Sequence, residues 1–600
     1  MNDLLQYLAR LLSFDSDHPL LFTQIHFWVF FLLVYCGFAL IVTRRWRLTV
    51  RNAYLFAVSL FFYYKTSGLF VLLLVFSTLL GFALGIGMDR PVPQRRRRAL
   101  MVAGVTVNLL VLAFFKYAYF FTDLFNATFR TDHQLAMHIV LPVGISFFTF
   151  QNISYIVDVY RRRIAHVGNA LDFGFYTSFF PQLVAGPILR ADQFVPQLYK
   201  PFFLSRRQFG IALFWIMGGL VKKIVLSDYL AVNFVDRVFD NPTLYTPFEN
   251  FAALMLYSLQ VYADFSGYTD IAIGVAMLMG FHLPLNFNSP YKAQNPTDFW
   301  RRWHISLSHW LRDYLYIPLG GNRSAGALSY VLLALILAAA AFRLHSTAFT
   351  LGVLALAAAI GLRWLLQPSH RRTMGTNINN MDTMLLGGLW HGASFNFITW
   401  GGLNGLGILA HKWWRRQGWI AHLLTLALLL AATSLLHAAT GSPLLSMLRF
   451  AAAVCLAGYT LLHLLPQRSI VTAALRTAWF TLLTFVFISF TRLFFRSGSN
   501  LDPAEANEVA WRTASQMVGQ IGSHWDLAQV PQIVAHYQAP FLLFAAGMAL
   551  HWLPARLKRR CRLAFASLPL WAMALMAVVL VLLLYQFITA DLQPFIYFQF

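Results

Sequence analysis

Apolar runs close to the ~20 residues that span a bilayer as a helix recur along the chain, and short arginine-rich clusters separate them. The first runs cover residues 20–42, 53–64 with 68–88, 99–115 and 139–160. Runs of this length and number are typical of membrane proteins and not of soluble domains. The pattern therefore predicts an all-α, polytopic integral membrane protein.

The arginine-rich clusters predict how the chain is oriented. They follow alternate crossings, at residues 44–51, 95–98 and 161–163. Because cytoplasmic loops carry an excess of Lys and Arg, all three clusters are expected in the cytoplasm, with the N-terminus outside. The first residues lack a basic leader followed directly by an apolar stretch and a cleavage site. We therefore expect no signal peptide and a retained first span.

Composition supports the membrane assignment. Hydrophobic residues make up 58% of the 600 positions and charged residues only 12%, whereas soluble chains carry about a quarter charged residues. The net charge of +23 is compatible with nucleic-acid binding, but the basic residues lie in clusters between apolar runs. That distribution favours membrane topology, so the expected partner is the lipid bilayer and not nucleic acid. Three distant cysteines predict neither a disulfide framework nor a metal site.

Polar residues interrupt the apolar segments in the middle of the chain. The segment PQLVAGPILR contains Gln182, the segment VYADFSGYTDIAIG contains Asp264 and Asp270, and Gln151 lies in the run before them. Broken backbone at membrane depth is tolerated where it is buried in protein or lines a cavity. Intramembrane carboxylates usually face a bundle interior or a water-filled path. The cluster favours a central polar cavity, although each residue alone could equally be a polar lock between helices.

Residues 295–323 predict one amphipathic helix. Asn295 suits the N-cap and Pro296 the first helical position. The side chains that recur at steps of three and four are Trp300, Trp303, Leu307, Trp310 and Tyr314. Such a helix could lie in the membrane interface with its tryptophans at headgroup level. This interpretation explains the aromatic stripe, but it does not explain His304, which lies at the edge of the apolar face.

A second histidine, His391, lies in the apolar segment LLGGLWHGASFNFITWGG. A lone histidine on an apolar helix is more often a satisfied core residue than a functional one. Here, however, five glycines permit close approach of another backbone or of a substrate: Gly387, Gly388, Gly392, Gly401 and Gly402. A neutral, buried imidazole can take the proton of an alcohol as that alcohol attacks a thioester carbonyl. Without a GxSxG elbow or a Cys–His pair, direct acyl transfer is the simpler hypothesis.

The two histidine segments, FWRRWHISLSHWLRDYLYIPLGGNR and LLGGLWHGASFNFITWGGLNG, together resemble the membrane-bound O-acyltransferase (MBOAT) superfamily. Its bacterial branch, which includes the alginate O-acetyltransferase membrane subunit and the D-alanyl teichoic-acid transfer protein, is the most similar. Further segments that resemble the alginate branch are LPVGISFFTFQNISYIVDVYRR, FFPQLVAGPILR, LQVYADFSGYTDIAIG and the final FIYFQF.

The resemblance implies a ring of transmembrane and broken or re-entrant helices around a central tunnel. The catalytic histidine of the family maps to His391, and the second family histidine maps to His304, which binds the donor or stabilises developing charge. The acyl donor, acetyl-CoA or another acyl thioester, is expected from the cytoplasm and the acceptor from outside. No bound cofactor or metal is expected. The residues expected to line the tunnel are Asp264, Asp270, Gln151, Gln182, Trp390 and Asn396.

The resemblance also divides the chain. Residues 1–137 are expected to form N-terminal transmembrane helices, and residues 138–600 an MBOAT core. Two plain Leu/Ala-rich helical hairpins, at 328–366 and 420–465, are apparent insertions, and the first separates histidine segments that the family joins by a short connection. Because each hairpin enters and returns, the core topology should survive.

The implied function is O-acetylation of an alginate-like exopolysaccharide or a cell-wall glycan from the bacterial inner membrane, directly or through a periplasmic acetyltransferase partner. A polysaccharide transporter or exporter is the alternative, because broken helices and intramembrane carboxylates suit it equally, although a transporter often shows two related halves. A lipid-linked glycosyltransferase would need acidic metal-binding loops, and the sparse acidic residues at 502–508 do not have such spacing.

Overall fold

The computed structural model describes residues 13–15, 20–133, 135, 139–183, 186–466, 468–499 and 506–587. All regular structure in these residues is helical. Within them, ten helical segments are long and apolar enough to cross a membrane, and a strongly bent pair near the C-terminus makes eleven if it forms one span. The predicted all-α, multi-pass membrane protein is confirmed. The final FIYFQF segment lies outside the described residues.

The N-terminal part consists of four long helices that follow the predicted runs. The tight turn that joins the second helix to the third, Gly68–Phe70, has Gly68 at φ 61°, a conformation that glycine adopts easily. The fourth helix is longer than its apolar run of 99–115, because the arginines before the run form its first turn and residues 116–129 continue it. The helices are α1 (Ile25–Thr43), α2 (Leu48–Ser67), α3 (Val71–Asp89) and α4 (Gln94–Phe129).

The middle of the chain forms shorter, broken helices around one long buried helix. That helix, α11, begins with a capping box between Thr246 and Glu249. It crosses α9 closely, since a Cβ on Gly219 would lie 2.5 Å from the carbonyl oxygen of Gly267. Wider π-helical turns, Val221–Asp228 and Ala231–Val235, follow α9. The helices are α5 (Ile145–Tyr160), α6 (Ala170–Ser178), α7 (Phe180–Leu183), α8 (Ala191–Leu198), α9 (Arg206–Leu220), α10 (Asp236–Asp240) and α11 (Pro247–Leu278).

The prediction of a single amphipathic helix over residues 295–323 is wrong. Helix α12 (Pro296–Arg302) ends at Trp303, and α13 (Ile305–Leu311) begins after His304, whose backbone is left-handed at φ 45°. The start was predicted correctly, because the Asn295 side chain accepts a hydrogen bond from the backbone N–H of Asp298 at 2.8 Å. The break turns the aromatic side chains inward, so Trp303 and Trp310 are buried instead of lying at an interface.

The two apparent hairpin insertions are helical hairpins with mostly exposed side chains, as predicted. In α15, whose residues are all described, no side chain is buried. The helices of the C-terminal half are α14 (Ala327–Leu344), α15 (Thr347–Leu366), α16 (Arg371–His391), α17 (Phe395–Trp414), α18 (Trp419–Thr440), α19 (Pro443–Leu464), α20 (Ile470–Ser497), α21 (Ala506–Ile521), α22 (Val530–His536), α23 (Gln538–Trp552), α24 (Ala555–Ser567) and α25 (Leu570–Phe587).

Two of the arginine clusters meet at one end of the helices. Arg97 donates hydrogen bonds to the carbonyl oxygens of Val159 and Tyr160, at 3.1 and 3.2 Å, which brings the cluster at 95–98 beside the cluster at 161–163. Arg161 in turn donates to the carbonyl of Asp313 at 3.2 Å. The segment after α13 therefore lies on the side that these clusters predict to be cytoplasmic.

Candidate active site

His391 is the last residue of α16 and is only 3% exposed. The helix ends there because Gly392 is extended, at φ −163° and ψ 158°. Three aromatic rings surround the imidazole, with centroids 4.7 Å (Trp390), 5.0 Å (Trp400) and 5.2 Å (Phe495) from it. The histidine is therefore held in a packed aromatic cage with little room for rotation.

The glycines near His391 mainly bring two helices together. A Cβ on Gly388 would lie 2.2 Å from the carbonyl oxygen of Phe397, and one on Gly401 would lie 2.2 Å from that of Met384. Beside Gly392 the ring of Phe397 fills the space. The sequence left open whether these glycines make room for another backbone or for a substrate. At Gly388 and Gly401 the space is taken by another backbone, and at Gly392 by an aromatic ring. Gly387 differs, since it lines a cavity together with His391, and a Cβ there would lie 3.3 Å from the Leu311 side chain.

A cavity of about 330 Å³ reaches His391. One face of α16 follows it, because Asn380, Met384, Gly387 and His391 recur at steps of three and four. These positions extend over ~16 Å at 1.5 Å per residue. The other lining residues are Thr297, Trp300, Arg301, Leu307, Ser308, Leu311, Arg312, Tyr316, Asn322, Thr383, Trp400 and Lys412.

The cavity is cationic. Arg301, Arg312 and Lys412 line it, and the described lining includes no acidic side chain. Next to it, Asp313 is paired with Arg190 at 2.8 Å and with Arg312 at 2.7 Å. Burial raises the pKa of Asp313, but the hydrogen bonds from the two arginines outweigh burial, so its pKa lies below the ordinary value. The charge of Arg312 is thus partly neutralised, whereas Arg301 and Lys412 form no ion pair with a carboxylate in the part of the chain that the structure describes.

His304 is fully buried and is not among the described lining of the cavity. Its ring packs edge-on against Phe265, at 4.6 Å between centroids, and lies 5.9 Å from the Trp390 ring. The left-handed turn at His304 is held by two backbone hydrogen bonds, from Ile305 to Asn286 and from Asn288 to Arg302, both 3.0 Å. The rings of both histidines thus lie near one tryptophan, Trp390, and of the two only His391 is in the described cavity lining.

Trp390 precedes His391 in α16 and Asn396 lies in the first turn of α17, and neither is among the described lining of the cavity. The Trp390 ring stacks on Phe150 at 5.5 Å, and Phe150 stacks on Trp310 at 3.8 Å. The Asn396 amide donates to the hydroxyl of Ser497 at 2.8 Å. Trp390 thus packs against His391, and Asn396 links α17 to α20.

The other four residues predicted to line the tunnel form polar contacts with side chains of the helix bundle. Gln151 donates to Gln182 at 3.1 Å, and both side chains are fully buried. Lys223 pairs with Asp264 at 2.6 Å, and the neighbouring Lys222 pairs with Asp270 at 2.5 Å. None of the four is among the described lining of the cavity at His391. Such contacts are what a polar lock between helices requires, and the expectation that these four residues line a tunnel stays a prediction.

Several residues at this site were not predicted from the sequence. Arg301, Arg312 and Lys412 belong to segments that looked interfacial or terminal, and only the fold brings them to one cavity. Lys116 of α4 contacts the end of α16, and its place at the end of an apolar run was the available signal. In the part of the chain that the structure describes, no three His, Cys, Asp or Glu side chains are arranged to hold a metal ion.

Comparison with known proteins gives consistent similarities. The model of the membrane-bound O-acyltransferase family matches residues 160–381, which include His304 and end before His391. The peptidoglycan O-acetyltransferase of Helicobacter pylori is 32% identical over 432 residues, covering 68% of this chain and 73% of that protein. The probable alginate O-acetylase AlgI of Pseudomonas aeruginosa is 36% identical over 394 residues, covering 64% and 65%. The teichoic acid D-alanyltransferase of Bacillus subtilis is 30% identical over 193 residues, covering 31% and 47%.

Proposed function

The chain belongs to the membrane-bound O-acyltransferase family, and from this membership we propose that it transfers an acetyl group from a cytoplasmic thioester to a polysaccharide hydroxyl outside the membrane. It is a multi-pass membrane O-acyltransferase. The relatives named above act, by their names, on alginate, peptidoglycan and teichoic acid. An alginate-like exopolysaccharide or a cell-wall glycan is therefore the acceptor that we propose. Family membership favours this enzyme over the polysaccharide exporter.

The observation that carries the mechanism is the position of His391 at the end of a cationic cavity. The imidazole takes the proton of the acceptor hydroxyl while the hydroxyl oxygen attacks the thioester carbonyl. The tetrahedral intermediate then collapses, the carbon–sulfur bond breaks, and the imidazolium returns the proton to the leaving thiolate. An ester and a free thiol are the products. His304, whose ring lies 5.9 Å from that of Trp390, acts as the companion histidine, either by binding the donor or by stabilising developing charge.

The donor that we propose is acetyl-CoA or another phosphorylated acyl thioester. Arginine and lysine bind phosphate oxygens well, and three such side chains line the cavity: Arg301, Arg312 and Lys412. The cavity lies beside the segment that contacts Arg161, on the predicted cytoplasmic side. The acylated end of the donor would then point along α16 towards His391.

We further propose that the protein resides in the inner membrane of a bacterium, where the acceptor approaches from the periplasm. The relatives come from bacteria, and the arginine clusters favour a cytoplasmic donor side. The acetyl group reaches the polysaccharide directly or through a periplasmic acetyltransferase partner.

Replacement of His391 tests the mechanism. His391→Ala should lower acetyl transfer ~10²- to 10⁴-fold, the usual contribution of general acid–base catalysis, and His391→Gln should fail nearly as badly because an amide cannot accept the proton. The measurement is polysaccharide O-acetylation in cells that lack the wild-type gene, with membrane abundance determined for each variant. His463→Ala is the matched control, because His463 is exposed on a peripheral hairpin. Wild-type acetylation by a normally abundant His391→Ala variant would show that the histidine is only structural.

Neutralising the cationic side chains of the cavity tests whether they bind the phosphates of acetyl-CoA. Arg301→Gln and Lys412→Gln should each raise KM for acetyl-CoA about tenfold or more while changing kcat little, because a charge-assisted hydrogen bond to phosphate is lost. Arg363→Gln, on the exposed face of α15, is the charge-matched control. An unchanged KM for acetyl-CoA in both cavity variants would rule out this phosphate site.

A further inference from the structure

The C-terminal end of α16 is bound by side chains from α4, a helix of the N-terminal part. The Lys116 ammonium donates to the carbonyl oxygens of Trp390 and His391, at 2.6 and 3.1 Å. The next residue, Tyr117, donates its hydroxyl to the carbonyl of Leu389 at 2.9 Å. Two successive residues of α4 therefore cap three successive carbonyls, the last of which belongs to His391.

The end of a helix needs such donors. The last four carbonyls of an α-helix have no partner within the helix, and in apolar surroundings an unpaired carbonyl is costly. Here the chain leaves the helix at the extended Gly392. A cation is also favourable at this position, because the helix dipole places partial negative charge at the C-terminus. Among the described residues Lys116 forms no ion pair with a carboxylate, so these carbonyls are its main polar partners.

Lys116 is not needed simply to attach α4 to the protein. Asn108, two turns earlier, accepts a hydrogen bond from Ser77 of α3 at 3.1 Å. One turn later, the Phe120 ring packs against Phe395 at 5.1 Å. The specific consequence of Lys116 is the position of the peptide units at Trp390 and His391, and the Trp390 ring also lies 5.9 Å from its ammonium.

We infer that Lys116 is a positioning residue for His391: its ammonium fixes the last turn of α16 so that the imidazole meets the cavity at a constant orientation. This inference rests on the proposed role of His391 as the base. Tyr117 assists by fixing the preceding peptide unit. An N-terminal helix, outside the region that the family model matches, thereby controls the geometry of the reaction centre.

The test uses the full chain in lipid nanodiscs, with acetyl-CoA as donor and de-O-acetylated alginate as acceptor probe. Lys116→Met should lower kcat on the order of 10- to 10²-fold, because small displacements of a reacting group cost this much, while KM for acetyl-CoA stays the same. Lys116→Arg keeps a cationic donor and should recover most of kcat. Tyr117→Phe should cause a smaller fall, since only the Leu389 carbonyl loses its donor.

Lys292 provides the matched control, because its ammonium donates to the carbonyl of Leu553 at 2.7 Å, just beyond the C-terminal end of α23. Lys292→Met should keep wild-type kcat. Equal losses in both methionine variants, a rise of KM in place of a fall of kcat, or wild-type kcat in Lys116→Met would overturn the inference. If Lys116→Met does not accumulate in membranes, Lys116→Gln replaces it, and wild-type kcat there overturns the inference equally. His391→Ala is measured in parallel: its full activity would contradict the proposed function, whereas an inactive His391→Ala beside a fully active Lys116→Met contradicts only the role of Lys116.

Discussion

His304 combines two unusual features at the residue scale, a buried imidazole and a left-handed backbone. A side chain at φ 45° is strained by contact between Cβ and the carbonyl oxygen. The turn persists because Asn286 and Asn288 bind the backbone on both sides of it. Local strain that the surroundings enforce is frequent at functional sites. The backbone of His304 breaks the helix and its ring packs against Trp390, so substitution must separate the two effects.

Comparison of His304→Gly with His304→Ala makes this separation. Both variants remove the ring, but glycine adopts the left-handed conformation without strain, so His304→Ala should be less stable by about 1 kcal/mol. Acetyl transfer should fall in both, and less than in His391→Ala. The unfolding temperature reports the effect of the backbone turn, and the rate of acetyl transfer reports the effect of the ring, so both are measured for each variant. Wild-type transfer by His304→Gly would mean that only the backbone turn matters and that the ring has no part in the reaction.

At the scale of helices, local signals were predictable and long-range ones were not. The N-cap at Asn295 depends on a hydrogen bond within four residues, and the sequence predicted it. The break at His304 depends on residues 286–288, while the aromatic periodicity continues straight across it. The plain hairpins were predicted because lipid exposure requires only an apolar composition. The cavity was missed in part, because Arg301 and Lys412 come from different helices and meet only in the folded protein.

The first hairpin gives a prediction at this scale. Deleting residues 328–366 and joining the ends with a short polar linker should leave a protein that inserts and transfers acetyl groups. The deletion should also lower the stability of the protein, because it removes two contacts of α14. Ser329 donates to Asn379 of α16 at 2.8 Å, and Arg343 pairs with Asp123 of α4 at 3.0 Å.

Thermal unfolding and transfer rate are measured in the same preparation of the deletion variant. The unfolding temperature should fall, and Ser329→Ala should reproduce part of that fall. Loss of transfer in a deletion variant that is still folded would show that the hairpin belongs to the reaction core.

For the whole molecule, orientation decides which face supplies the donor. Single cysteines placed in the clusters at 44–51, 95–98 and 161–163, in a background without the three native cysteines, should resist an impermeant thiol reagent in intact cells. Ser442→Cys, in the turn between α18 and α19, should react. Helix α18 is long and apolar enough to span the membrane between this turn and the end of α17, where Lys412 lines the cavity on the predicted cytoplasmic side. Strong labelling in any of the three clusters would reverse the predicted order of crossings and move the cationic cavity to the outside.

In the proposed mechanism, His391 is the base for transfer of an acetyl group from a donor on the cytoplasmic side to an acceptor on the other side. The most direct measurement uses inverted membrane vesicles, which expose the cytoplasmic face, with radiolabelled acetyl-CoA added outside and de-O-acetylated polysaccharide enclosed. We predict labelled ester in the lumen for the wild-type protein, and a loss of ~10²-fold or more for His391→Ala at equal abundance. Lumenal label that is unchanged in His391→Ala, or ester that forms only when donor and acceptor share one face, would contradict the account.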